Sequence, residues 1–121
     1  MKTNILVVDD TRDNLRLLSN MLTEQGYKVR PVSDGRRAIS SAQNRLPDLI
    51  LLDIMIPKID GFEVCRQIKA NEATRHIPVI MLSAKKSRED RIMGEQAGAD
   101  LYITKPYKSD MLIETIQRLL S

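Results

Sequence analysis

Three short apolar runs punctuate the chain: Ile5 to Val8, Leu49 to Leu52 and Val79 to Leu82. Each is too short for a helix and has no polar alternate face, the pattern of a strand buried on both sides. They read as the central strands of a parallel sheet. Two weaker strand candidates flank them: Lys28 to Val32, after the Gly26-Tyr27 turn, and Asp100 to Thr104, where Leu101 and Ile103 alternate with more polar neighbours.

Between the runs the period changes from two to about 3.6. Leu15, Leu18 and Leu22 form an apolar stripe behind a candidate cap at Thr11, predicting a first helix. Asp34 is placed to cap a second, carrying Ala38, Ile39 and Ala42. Asp60-Gly61 opens a third with Phe62, Cys65 and Ile68. Ser87 followed three residues on by Asp90 predicts a capped fourth helix ending at Gly98. Ser109 or Asp110 opens the fifth, with Leu112, Ile116, Leu119 and Leu120 inward.

Five strands alternating with five helices predict a doubly wound parallel α/β sheet, because each right-handed crossover lays a helix over one face and returns the chain beside an earlier strand. The pattern leaves the strand order open. No repeat or low-complexity tract interrupts it, so one domain over residues 1–121 is expected, with nothing left for an output domain.

Composition changes this picture little. The net charge of +3 and pI near 9.2 come from 19 basic and 16 acidic residues that are interspersed, and the few aromatics offer no stacking platform, so direct nucleic-acid binding is not expected. No apolar run approaches the ~18 residues of a membrane span, and the N-terminus lacks a signal peptide's apolar region. Cys65 is the lone cysteine and forms no intrachain disulfide. A cytoplasmic protein that does not enter the membrane is the expectation.

The candidate chemistry lies at the strand ends. Asp9 and Asp10 close the first strand, Asp53 the third and Ser83 the fourth, and Lys105 follows the fifth. In an open α/β sheet the carboxyl ends of the strands share one crevice. Three carboxylates gathered there repel one another unless a cation intervenes. Their all-oxygen donor set, without nearby His or Cys, favours Mg2+ over zinc. Lys105 adds a compact positive charge suited to a phosphoryl oxygen.

The segments Val7-Val8-Asp9-Asp10, Asp53-Ile54-Met55-Ile56-Pro57-Lys58-Ile59-Asp60-Gly61, Ser83-Ala84 and Gly98 to Pro106 together resemble response-regulator receiver domains of two-component signalling. The resemblance spans the whole chain and implies a flavodoxin-like (βα)5 three-layer sandwich with strand order 2-1-3-4-5. It implies that Asp53 is the phosphoacceptor, that Asp10, Asp53 and the backbone carbonyl of Met55 hold Mg2+, and that Asp9 acts through a metal-bound water. Ser83 and Lys105 would hold phosphoryl oxygens. Ser83 and Tyr102 would form the switch that alters an output face on the fourth and fifth helices, and Lys105-Pro106 would be a cis peptide. Met55 and Lys85 would influence the lifetime of the phosphorylated state.

The resemblance further implies a phosphohistidine donor, on a histidine kinase or a histidine phosphotransfer protein, and an output partner of unknown kind. The family often dimerises through the face of the fourth and fifth helices, which leaves a homodimer open here. Such a domain is not a free-standing enzyme, although it catalyses its own phosphorylation and dephosphorylation. The competing reading is a metal-dependent phosphatase or phosphotransferase with a carboxylate nucleophile, which needs a substrate pocket or cap that the sequence has no insertion to build. His76 reads as a solvated loop residue, Cys65 as a small hydrophobe, and Lys85, Lys86 and Arg88 as a solvated loop beside Ser83.

Overall fold

A computed structural model describes residues 2–121. The elements run β1 (Asn4–Val8), α1 (Arg12–Glu24), β2 (Lys28–Val32), α2 (Gly35–Asn44), β3 (Leu49–Leu52), α3 (Gly61–Ala70), β4 (Val79–Ser83), α4 (Arg88–Gln96), β5 (Leu101–Thr104) and α5 (Ser109–Leu120). All neighbouring strands are parallel, in the order β2-β1-β3-β4-β5. This is the order the family resemblance implies, and the three apolar runs are its three central strands.

Period-two geometry splits those runs between two cores. Leu6, Val8, Ile50, Leu52, Val79 and Met81 face the layer of α2 and α3, where they meet Ala38, Ala42, Phe62, Cys65 and Ile68. Ile5, Val7, Leu49, Leu51, Ile80 and Leu82 face α1 and α5, against Leu18, Leu22, Leu112 and Ile116. The result is three layers. Burial of each such aliphatic side chain contributes about 1.5–3 kcal/mol, so a polar residue on either face of β1, β3 or β4 would cost that burial as well as its own desolvation.

Three helix starts follow the sequence reading. The carboxylates of Asp34 and Asp60 accept from Arg37 N (2.8 Å) and Glu63 N (2.9 Å), and Ser87 Oγ accepts from Asp90 N (3.1 Å) while its hydroxyl donates back to Asp90 Oδ2 (2.7 Å). One differs: Thr11 occupies the N-cap of α1, but its hydroxyl turns to Asp10 Oδ1 (3.4 Å) and caps no helical N–H. The fifth helix opens at Ser109, as the sequence indicates, with Lys108 at its N-cap. The strand alternation also misleads at Leu101, which is 38% exposed because β5 is an edge strand with a neighbour on one side alone.

Candidate functional site

Parallel register carries the polar residues at the strand ends to one level. Val8 lies opposite Leu52, Leu52 opposite Met81, Met81 opposite Tyr102, and Ser83 opposite Thr104. Backbone hydrogen bonding continues one residue beyond the strands: Asp9 N donates to Val32 O (3.2 Å), Asp53 N to Val8 O (3.0 Å) and Lys105 N to Ser83 O (2.9 Å). Each functional side chain therefore starts from a backbone fixed by the sheet.

Lys105 stands between two of the acids. Its ammonium lies 3.2 Å from Asp9 Oδ2 and 3.2 Å from Asp53 Oδ2. Asp9 is 2% exposed. Its Oδ1 accepts from Thr11 N (2.9 Å) and its Oδ2 from the Asn14 amide (3.4 Å) at the start of α1. The other Asp53 oxygen accepts from Met55 N at 3.2 Å. Asp10, by contrast, is exposed at the rim.

Burial pushes the Asp53 carboxyl above the ordinary aspartate range, against the opposing pull of the Met55 N–H and the Lys105 charge. Burial pulls Lys105 the other way, yet the charges of Asp53 and Asp9 together outweigh it and hold the ammonium above the usual lysine value. One lysine serves two buried acids and leaves Asp10 uncompensated. Asp9, Asp10 and Asp53 each offer an oxygen within 4.8 Å of the others. That all-oxygen donor set fits a hard divalent cation better than it fits zinc.

The remaining expected residues surround this centre. Ser83 is fully buried at the end of β4, where its Oγ accepts from Lys85 N (3.3 Å). Tyr102 rests its ring against the α3-side core and donates its hydroxyl to the Lys85 carbonyl (2.7 Å), with the Arg91 guanidinium 5.5 Å from the ring centroid. The Lys105-Pro106 peptide is cis. His76 is exposed and Cys65 is buried, as the sequence indicated.

Two features escaped the sequence reading. Asp60-Gly61 reads as a cap signal, but a Cβ on Gly61 would fall 2.5 Å from both Asp53 O and Ile54 Cα, so the glycine is what lets α3 begin against the backbone of Asp53. Within the same connection Lys58 has φ 75°, a left-handed conformation that no lysine announces in sequence. The sequence reading likewise did not single out Asn14, whose amide donates to Asp9 Oδ2 from the first turn of α1.

A model of the response regulator receiver domain matches residues 5–117. The chain belongs to that family. It is 46% identical over 119 residues to the response regulator PleD of Caulobacter vibrioides, covering 98% of this chain and 26% of that protein. It is 40% identical over 116 residues to the DNA-binding dual master transcriptional regulator RpaA of Synechocystis, covering 96% and 48%. The chain thus spans between about a quarter and a half of these relatives. Among solved structures, the receiver domain of the sensor histidine kinase PA1611 from Pseudomonas aeruginosa, with a magnesium ion coordinated in its active-site cleft, superposes with TM-score 0.92 at 37% identity, covering 99% of this chain and 98% of that one. A receiver domain of two-component signalling accounts for the acidic crevice, and the phosphatase reading is not favoured. No helix among the described residues is long and apolar enough to cross a membrane.

Proposed function

We propose that residues 1–121 form one receiver domain in which Asp53 accepts a phosphoryl group from a phosphohistidine on a histidine kinase or a histidine phosphotransfer protein. The observation that carries this reading is the bridge of Lys105 between Asp9 and Asp53 at 3.2 Å to each, beside an acid, Asp10, that no lysine compensates. An Asp53 oxygen attacks phosphorus, the P–N bond breaks, and its electron pair returns to the imidazole. The transferred group carries its charge on the equatorial oxygens, so the domain catalyses mainly by positioning and neutralisation. Lys105 moves from the Asp53 carboxylate to a phosphoryl oxygen, and the buried Ser83 hydroxyl binds a second.

Asp10, Asp53 and the Met55 carbonyl would hold Mg2+, with Asp9 linked to it through water; when bound, the ion neutralises charge on the phosphoryl oxygens. Removal of the Ser83 hydroxyl from Lys85 N frees the backbone to which Tyr102 is bonded, which shifts the balance between two packings of α4, β5 and α5. That face then meets an output partner or a second copy of the chain. The DNA binding named for RpaA is not carried over to this chain, which covers 48% of that protein. The setting is the cytoplasm, where phosphohistidine donors reside.

The test is intact-mass spectrometry after incubation with acetyl phosphate and Mg2+. Wild-type protein gains one phosphoryl group and Asp53→Asn gains none. A wild type that gains none contradicts the reading.

A further inference from the structure

The cleft beside Asp53, about 630 Å³, has a wall of mixed charge: Asp10, Asp60 and Asp90 with Lys85, alongside the exposed Met55 and Met93. Lys85 is held at both backbone groups, its N–H on Ser83 Oγ and its carbonyl under the Tyr102 hydroxyl. Only its side chain is free to move. The ammonium has a single ionic partner among the described residues, Asp90 Oδ1 at 4.0 Å, and the Lys85 side chain is 42% exposed.

Asp90 itself is fixed. Its N–H and its second carboxylate oxygen are both engaged by Ser87 in the reciprocal cap of α4, and its side chain is 19% exposed. A loose pair between a rigid acid and a flexible lysine is a weak tether that a stronger anion nearby can outcompete. A phosphoryl group carries about −1.5 to −2 charge and three acceptor oxygens, against the one half-engaged carboxylate of Asp90.

Building on the proposed phosphoacceptor role of Asp53, we infer that Asp90 is a positioning residue that parks the Lys85 ammonium at the mouth of the cleft and surrenders it to the phosphoryl group on Asp53. Asp90 thereby sets how tightly the occupied state is held without touching the phosphoryl group. It belongs to the rigid frame of α4, so movement of that helix changes the hold on Lys85.

The probe is beryllofluoride, a phosphoryl mimic, titrated by calorimetry in Mg2+ on the whole chain. Asp90→Asn keeps an oxygen for the Ser87 hydroxyl and removes the charge. It should tighten binding by about two- to fivefold, the range an exposed ion pair carries. The same substitution in a Lys85→Met background, where no ammonium remains to release, should give little or no gain. An unchanged affinity in Asp90→Asn, or an equal gain in both backgrounds, overturns the tether and leaves the phosphoacceptor reading standing. A wild type that binds no beryllofluoride overturns both.

Discussion

The Lys105 ammonium lies 3.2 Å from Asp53 Oδ2, and the same nitrogen reaches Asp9 at an equal distance. A lysine shared in this way stabilises the unphosphorylated site yet can leave Asp53 without unpairing entirely, because Asp9 keeps hold of it. The consequence is testable. Lys105→Met leaves two buried carboxylates facing each other without a cation, and the metal-free protein should lose about 1–3 kcal/mol in a urea titration, below the full cost of breaking a buried pair because Lys105 is 24% exposed. Mg2+ should restore more stability to this variant than to the wild type.

Cation binding should be visible in the folding equilibrium. A cation that binds the native acids alone contributes about 2.7 kcal/mol at a hundred times its Kd. Thermal unfolding of the wild type should therefore rise with added Mg2+. Asp10→Asn, at an exposed position, should fold normally in its absence and show a much smaller rise. Equal shifts in the two proteins would remove Asp10 from the ligand set.

At Gly61 the space for a side chain is already filled by the backbone of Asp53 and Ile54. Gly61→Ala should cost about 1–3 kcal/mol through overpacking, measured as a lower urea midpoint. Because the clash falls on Asp53 itself, phosphorylation by acetyl phosphate should slow more than stability alone would account for. Gly26, which has nothing within contact of its added Cβ although its φ is +90°, is the comparison site where a loss of stability should leave phosphorylation intact.

Burial pushes the Cys65 thiol up to about 11. The folded state disfavours the thiolate, so the stabilisation from this group is complete below the ordinary thiol value of about 8.5 and is lost as pH rises toward 11. Native protein should resist thiol-specific reagents at neutral pH and react stoichiometrically in denaturant. Rapid labelling of the native state would contradict the packing of α3.

How much of this could be read from the residues differs by element. β1, β3 and β4 were legible because burial on both faces leaves nothing but apolar positions, and Asp9, Asp10, Asp53 and Ser83 stood out as polar residues at the ends of those runs, whereas Lys105 follows the weaker fifth strand and stood out as the cation the acids need. Strand order came from family resemblance, since periodicity says which face is buried and never which strand lies alongside. The features that escaped depend on how the backbone and its neighbours are arranged in space rather than on residue type: the approach of Gly61 to Asp53, the left-handed turn at Lys58, the edge position that exposes Leu101, and the amide of Asn14 turned to Asp9.

The central claim is that Asp53, among the three clustered acids, is the one that becomes an acyl phosphate. Borohydride reduces an acyl phosphate to the alcohol, converting a phosphorylated aspartate to homoserine. After treatment with acetyl phosphate and Mg2+, then borohydride, peptide mass spectrometry should find homoserine at position 53 and unmodified aspartate at positions 9 and 10. Homoserine at position 9 or 10, or unmodified aspartate at all three, would contradict it.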